Sequence, residues 1–273
     1  MRSLSFGDLS LAGFSRAGEE TWFRVQPPGL AFDVGRGPGE LTGTHHLFLS
    51  HGHLDHAAGV PYLLSQRYLQ SLPEARIFCP AASAEALGDY LAAAERLEDT
   101  TYRYQLRGLS PGETVELGRG FRVEAFATDH VVPSVGYHLW RTRRRRAAAY
   151  AELGSEQLKA LAAGGAEVTE SHDELALSYC GDTGPGVFEL EPRLFEARVL
   201  LIECTFLGEG LRPLAKRYGH LHVEDLVPWV DRFASAHVVL FHLSRRHRAD
   251  ELEAEVARCL PGLAPRVHVW RSA

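Results

Sequence analysis

The sequence contains few cysteines and no long hydrophobic run, and both absences narrow the classes of protein that it can encode. No apolar segment approaches the roughly 20 residues of a membrane-spanning helix, so no membrane partner is expected. The opening MRSLSFGDLSLAGF lacks the apolar stretch of a signal peptide, which predicts a cytoplasmic protein. The cysteines form no C-x-x-C pair, so we expect mostly buried free thiols of a reduced compartment at Cys79, Cys180, Cys204 and Cys259.

Lysine is also scarce, because the chain has only Lys159 and Lys216, and nearly all positive charge is carried by arginine. We attribute that bias to genome composition or heat adaptation rather than to a function. The net charge is −6, so bulk electrostatics do not indicate a nucleic-acid-binding protein. Any approach to a polyanion would depend on two local basic clusters, RTRRRR at residues 141–146 and SRRHR at residues 244–248.

The length of 273 residues suffices for one large domain or for two tightly joined halves. We find no low-complexity linker and no internal repeat, so we predict a single domain over residues 1–273. Short β-type runs alternate with helical patterns, which is typical of an α/β fold in which helices cover sheets. The predicted strands lie within residues 30–35, 46–51, 76–80, 122–130, 176–183, 199–206 and 237–244, and the predicted helices within 57–71, 82–97, 155–163, 223–233 and 250–259.

The segment SHGHLDHAAG, residues 50–59, places three histidines and an aspartate within six positions. His51 and His53 are two residues apart at a strand end, so their side chains point the same way in extended backbone. Asp55 and His56 follow where the chain turns into a predicted helix. All four side chains can donate an electron pair to a divalent cation, which favours a metal site over a histidine-rich polar loop.

Three further predicted strands end in a potential ligand, at His130, Asp182 and His242. Strand ends that open into loops are where rigid scaffolds present chemistry, so we expect one convergent site. Seven ligands are too many for one tetrahedral zinc but suit two, with Mn²⁺ or iron as alternatives, and a carboxylate is best able to bridge. Two neighbouring metals clamp the attacking and leaving oxygens of a displacement, which predicts hydrolysis, with phosphodiesters as natural substrates.

The motif SHGHLDH resembles the signature of the metallo-β-lactamase superfamily, whose fold is a four-layer αββα sandwich with the metals at one sheet edge. The segments AFDVG, TDHVVPSVGY, YCGDT and LFHLSRRH fall where that superfamily places its other motifs. LLIECTF (200–206) and YGHLHVEDL (218–226) are similar to the ribonuclease Z family, endonucleases that trim the 3′ trailer from precursor tRNA. The resemblance runs from about Ala31 to Leu260 and is strongest to the short form found in plants.

The resemblance implies a division of the ligands between two zinc ions and a homodimeric assembly. One ion would be held by His51, His53 and His130, and the other by Asp55, His56 and His242, with Asp182 bridging. Asp55 would also orient or deprotonate the attacking water.

The same resemblance implies that Glu203, Thr205 and His220 assist the departing oxygen, because a histidine held by a carboxylate can supply a proton near neutral pH. The alternatives are a buried structural acid for Glu203 and a capping residue for His220. For His222 a functional and a structural role remain equally open. The remaining histidines are expected to be structural or at the surface, at His45, His46, His138, His172, His237 and His268.

The family's tRNA-gripping arm lies between the third and fourth ligand motifs, which here is the interval 139–177. It lacks the Gly-Pro-rich tip of the bacterial arm and begins with the arginine run instead, so we expect a basic insert or a shortened arm. Candidate phosphate contacts are Arg141, Arg143, Arg144, Arg145, Arg146, Ser244 and Arg246. The residues therefore leave three functions open: an endonuclease acting on precursor tRNA, a phosphodiesterase acting on small or cyclic nucleotides, and an inactive RNA-binding or scaffold protein.

Overall fold

The computed structural model describes residues 2–271, which form two seven-stranded mixed sheets. Strands are neighbours in chain order in both sheets, and in each sheet three antiparallel pairs precede three parallel pairs. The first sheet contains β1 (Arg2–Phe6), β2 (Leu9–Arg16), β3 (Glu20–Gln26), β4 (Leu30–Phe32), β5 (His46–Phe48), β6 (Ala75–Pro80) and β7 (Tyr104–Leu109). The second contains β8 (Thr114–Gly118), β9 (Phe121–Ala127), β10 (Val135–Arg146), β11 (Thr169–Tyr179), β12 (Val199–Glu203), β13 (His237–Phe241) and β14 (Val267–Val269).

Seven α-helices lie in the described residues, together with several short 3-10 turns. They are α1 (Leu54–Ala57), α2 (Val60–Leu69), α3 (Ala84–Glu98), α4 (Ser155–Ala163), α5 (Val187–Leu190), α6 (Arg212–Tyr218) and α7 (Ala249–Cys259). No helix within residues 2–271 is long and apolar enough to cross a membrane.

The apolar residues form three buried layers, which together define the order helix, sheet, sheet, helix. The central layer lies between the two sheets and includes Phe23 and Phe241. An outer layer on the first sheet packs β5 and β6 against α2 and α3, as at Leu63 and Leu91. The other outer layer packs β12 and β13 against α7, as at Leu252. This arrangement confirms the predicted four-layer αββα sandwich.

Two tyrosines connect the central layer to the edge of the sheets. The ring of Tyr179 stacks on Phe32 with a centroid distance of 5.0 Å, and its hydroxyl donates to Oδ2 of Asp33 at 2.5 Å. Tyr137, also fully buried, donates to the carbonyl of Leu49 at 2.6 Å. A buried hydroxyl requires a partner, so these bonds fix the edge of the core against the loops that follow β4 and β5.

The predicted helices agree with the structure except at two places. The helix predicted over 57–71 begins earlier and divides into α1 and α2 around Gly59. The backbone of Gly37 packs closely there, since a Cβ at Gly59 would lie 1.9 Å from the nitrogen of Gly37. The segment predicted as a helix over 223–233 is a 3-10 helix over Val223–Arg232. Pro228 lies inside that segment and lacks the N–H that an α-helix would need.

The interval predicted as a basic insert is an extension of the β10–β11 hairpin, in which residues 140–146 pair with residues 169–175, and its tip carries α4. Arg141 and Arg143 both form ion pairs with Asp8, which lies between β1 and β2 of the other sheet. Arg143 also pairs with Glu174 at 2.7 Å. This half of the arginine run is therefore engaged in ion pairs within the protein.

Candidate metal centre

The predicted ligands meet at one edge of the two sheets. His51 and its neighbours lie between β5 and α1, while His130, Asp182 and His242 follow β9, β11 and β13 respectively. Within residues 2–271, potential metal-binding groups are found here alone, and they overlap: His51, His53, His130 and Asp182; Asp55, His56 and His242; Asp182, His220 and His242. All seven residues predicted from the sequence are thus brought together.

The first group surrounds the space between His51 and His130. Nε2 of His51 lies 3.7 Å from Oδ2 of Asp182, and Nε2 of His130 lies 3.3 Å from Nδ1 of His53. The candidate ligand atoms of the four residues lie within 4.8 Å of one another. Three nitrogens and one carboxylate oxygen match the donor set of a four-coordinate zinc.

The second group lies on the other side of Asp182. Nε2 of His242 is 3.5 Å from Oδ2 of Asp55 and 3.3 Å from Nε2 of His56. Asp182 lies between the groups, because its Oδ2 is 3.7 Å from Nε2 of His51 in the first group and 3.4 Å from Nε2 of His242 in the second. Its Oδ1 is 3.4 Å from Nε2 of His56. Its position suits a carboxylate that contacts two ions.

Two buried polar atoms of the cluster make no hydrogen bond within the described residues. Nε2 of His51 and Oδ1 of Asp182 are buried without a hydrogen bond. Burial and neighbouring histidines lower the pKa values of His51, His53 and His130, which favours the neutral imidazole that binds metals. Unpaired buried lone pairs cost free energy, and a divalent cation would relieve that cost, so the residues fit a metal site.

The ring nitrogens of His130 and His242 that point away from the cluster contact other groups of the protein. Nδ1 of His130 contacts the carbonyl of Gly219 at 2.9 Å, and Nδ1 of His242 contacts Oγ1 of Thr205 at 3.0 Å. Such outer contacts set the tautomer and the orientation of a ligating histidine.

Asp33 holds the opposite side of His56, and the sequence argument gave it no role. It is fully buried, accepts from the backbone N–H and hydroxyl of Ser50, and lies 2.7 Å from Nδ1 of His56. Burial opposes protonation of His56, but Asp182 and Asp33 outweigh it and raise its pKa well above the usual value. The signal was available, since AFDVG places an aspartate directly after a buried strand.

A second acid–base pair lies next to Asp182. Nδ1 of His220 is 2.6 Å from Oε1 of Glu203, which is fully buried and also accepts from the hydroxyl of Thr205. Burial opposes protonation of His220, but the Glu203 carboxylate outweighs it and raises the pKa of His220 to about 9. His220 therefore holds a proton at neutral pH, although it also lies within reach of a metal bound at Asp182.

The other histidines lie outside the cluster. His222 contacts the carbonyl of Gly208 and accepts from the backbone N–H of Glu224, so it caps the following 3-10 helix. His138 contacts Ser178 in the buried region beneath the second sheet, and His237 contacts His268. The cysteines agree with expectation, because Cys259 is partly exposed and the other three are buried free thiols.

The candidate phosphate contacts are dispersed. Ser244 is buried and its hydroxyl accepts from the backbone N–H of Arg246, which is exposed and follows His242 by four residues. Arg144, Arg145 and Arg146 lie at the far end of β10, about 30 Å or more from Val135 at the site edge, since a strand rises about 3.3 Å per residue. The two basic clusters therefore do not flank one narrow cleft.

A four-layer αββα sandwich with a histidine–aspartate cluster at one sheet edge defines a metal-dependent hydrolase of the metallo-β-lactamase type. The family described as "Beta-lactamase superfamily domain" matches residues 14–243, so the chain belongs to this superfamily and, through the relatives that follow, to its ribonuclease Z family. tRNase Z TRZ1 of Arabidopsis thaliana is 31% identical over 269 residues, which cover 97% of this chain and 96% of that relative. The chloroplastic tRNase Z TRZ2 of the same plant is 30% identical, with 94% and 73% covered.

Solved structures agree with the fold. The short form of human tRNase Z superposes with a TM-score of 0.64 at 20% identity, covering 97% of this chain and 96% of that chain. Yeast PDE1 superposes with a TM-score of 0.60 at 15% identity, covering 96% of each. At these identities the likeness extends to the fold alone.

Proposed function

We propose that the protein is a zinc-dependent endoribonuclease that removes the 3′ trailer of precursor tRNA. The observation that carries the proposal is the Glu203–His220 pair, 2.6 Å apart and directly beside a cluster of seven candidate ligands. Relatives named tRNase Z that span nearly the whole chain support precursor tRNA as the substrate. We further propose a cytoplasmic homodimer built from one domain over residues 1–273, as the family resemblance implies.

In the proposed site, one zinc ion would be held by His51, His53 and His130 and the other by Asp55, His56 and His242, and Asp182 would be shared between them. When bound, two such ions supply a hydroxide at neutral pH and neutralise charge on the phosphate. Mn²⁺ or iron are alternatives, because imidazole and carboxylate ligands also bind these metals.

The chain's own residues orient the reaction. Asp55 accepts a proton of the attacking water at the carboxylate oxygen that faces His242, which is 3.5 Å away. Burial opposes ionisation of Asp55, but His242 and His56 outweigh it and lower its pKa, so the acceptor stays ionised. His220 donates its proton to the departing 3′ oxygen, and Glu203 keeps the imidazole oriented and protonated.

Two regions would contact the rest of the RNA. Ser244 and Arg246 follow His242 in the loop after β13, and they are proposed to contact phosphates near the cleaved bond. Arg144, Arg145 and Arg146 would act farther away, on the β10–β11 hairpin. Arg141 and Arg143 contribute less, because both already form ion pairs with Asp8 and Arg143 also pairs with Glu174.

That engagement of Arg141 and Arg143 also favours a second candidate, a phosphodiesterase acting on small or cyclic nucleotides at the same site. Incubation with a trailer-bearing precursor tRNA, with a cyclic nucleotide and with bis-p-nitrophenyl phosphate separates the two. We expect cleavage of the precursor at the trailer junction, and the Asp55→Ala variant is the inactive control. Hydrolysis of the small substrates without cleavage of the precursor would establish the second candidate instead.

A further inference from the structure

A basic cavity lies beside the Asp55–His242 half of the metal centre. Its volume is about 330 Å³, and Arg16, Arg248 and Arg271 contribute to its lining. Ser15 also lines it, and the hydroxyl of Ser15 accepts the backbone N–H of His242 at 3.0 Å. Leu243, the residue that follows His242, forms another part of its wall. The cavity is therefore immediately next to a proposed metal ligand.

The three arginines differ in whether a carboxylate forms an ion pair with them. Arg248 pairs with Asp250 at 2.9 Å, and Arg271 pairs with Glu253. No ion pair of Arg16 exists within residues 2–271. Arg16 is the last residue of β2, two residues before Gly18, whose backbone N–H contacts Asp55.

Two buried nitrogens of the cavity residues are also without partners. Trp270 is 2% exposed and its indole Nε1 makes no hydrogen bond, and the same holds for Nε2 of His247. An indole N–H can only donate, so the missing partner of Trp270 is an acceptor. An unpaired buried donor costs about 1–3 kcal/mol, which an entering acceptor would recover.

We propose that this cavity binds a backbone phosphate of the substrate, next to the phosphate that is cleaved. Arg16 would form the charge-assisted contact, and Trp270 would donate its indole N–H to a second phosphate oxygen. The proposal rests on the proposed function for the identity of the polymer that carries the phosphate. The proposed phosphate site does not involve the arginine run, which lies at the end of β10 that is far from the metal centre.

Dimethyl phosphate, a phosphodiester without a base or sugar, tests the cavity directly in the metal-loaded protein. We expect it to shift the indole N–H resonance of Trp270, which is assigned with Trp270→Phe, and we expect Arg16→Ala to abolish the shift. Arg119→Ala is the matched control, because Arg119 lies in the β8–β9 turn at the opposite edge of the second sheet. An unchanged resonance in the parent protein, or an equal shift in Arg16→Ala, would overturn the proposal.

The salt dependence of RNA binding tests the role of the cavity with the polymer. Loss of one phosphate contact should reduce the slope of log affinity against log salt by about 0.7 to 0.9. We expect that reduction for Arg16→Ala and not for Arg119→Ala, with turnover of bis-p-nitrophenyl phosphate changed less than twofold. If the parent protein cleaves RNA and Arg16→Ala has the same salt slope as the parent, the phosphate site would be contradicted and the proposed function would stand. If the parent protein neither binds nor cleaves RNA but dimethyl phosphate still shifts the Trp270 resonance, the proposed function would be contradicted. The proposal that the cavity binds phosphate would stand.

Discussion

The backbone N–H of Gly18 donates a hydrogen bond of 2.8 Å to Oδ2 of Asp55. The same oxygen lies 3.5 Å from Nε2 of His242. Gly18 has a φ of +65°, which favours glycine, and the preceding Ala17 donates to the carbonyl of Leu243. The turn between β2 and β3 therefore contacts Asp55 through Gly18 and the residue after His242 through Ala17. The contact with Gly18 orients the Asp55 carboxylate.

Gly18→Pro tests this orientation, because proline has no N–H and cannot adopt a positive φ. We expect kcat/KM for bis-p-nitrophenyl phosphate to fall by about 10- to 100-fold, which is typical for loss of a partner of a ligating group. Gly112→Pro is the matched control. Gly112 lies between β7 and β8, has a φ of +88° and also donates its N–H, to the carbonyl of Ala125 in β9. A similar loss of activity in both variants would indicate a general effect on folding.

The Glu203–His220 pair predicts an effect that depends on the leaving group. His220→Ala should slow cleavage of RNA, whose 3′ oxygen requires a proton, by about 100-fold or more. It should slow hydrolysis of bis-p-nitrophenyl phosphate by less than about tenfold, because nitrophenolate leaves without one. Glu203→Gln should reproduce the pattern more weakly. Equal losses on both substrates would show that His220 is structural or holds a metal.

Asp182 is predicted to affect both ions, since its oxygens lie 3.4 Å from His56 and from His242 and it belongs to the first group as well. The reconstituted parent should contain about two zinc ions per chain. We expect Asp182→Asn to lower occupancy of both, whereas His130→Ala should lower that of one ion only. The measurement is metal content after gel filtration with a weak chelator. Selective loss of one ion from Asp182→Asn would contradict the bridging role.

Glu191 predicts a pH dependence of stability away from the metal centre. Burial opposes its ionisation, but Arg193 at 2.7 Å and His138 outweigh it and lower the pKa of Glu191 to about 2. A lowered carboxyl pKa contributes stability above the unfolded value near 4.5, and that contribution is lost as the pH falls toward 2. Glu191→Gln should therefore reduce the free energy of unfolding by about 2 kcal/mol at pH 7.

Urea unfolding of the parent and of Glu191→Gln from pH 7 down to about 3 provides the measurement. The difference between the two proteins should shrink as the pH falls below about 4.5, because the carboxyl group of the unfolded parent then gains a proton while that of the folded parent stays ionised until near pH 2. A difference that stays constant with pH would mean that Glu191 acts through packing and not through its charge.

Most of the candidate site could be predicted from the sequence, because each proposed ligand lies in a segment that follows a strand. His51, His130, Asp182 and His242 could be placed at one edge once the strands were recognised, since parallel strands present the same ends at the same edge. The contact between Gly18 and Asp55 could not be predicted in this way. It depends on a turn in a different part of the chain whose strands, β2 and β3, were not recognised.

The environment of the arginine run could not be predicted from local composition. Its charge density suggested an exposed insert, yet Arg141 and Thr142 are paired in a strand with Glu174 and Asp173. Cross-strand pairing and the ion pairs with Asp8 join distant segments, so local composition does not encode them. Strand residues of one charge become stable partners only when the opposing strand carries the other charge.

The most direct test of the account is the chemistry of the RNA ends after cleavage of a precursor tRNA in water enriched in oxygen-18. Attack by water with departure of the 3′ oxygen predicts a 3′ hydroxyl on the tRNA and a 5′ phosphate on the trailer, with one labelled oxygen in that phosphate. Mass spectrometry of both fragments reads this out in one experiment, with the Asp55→Ala variant as the blank. A 2′,3′-cyclic phosphate or a 3′ phosphate on the tRNA fragment, without label in the trailer, would contradict the account.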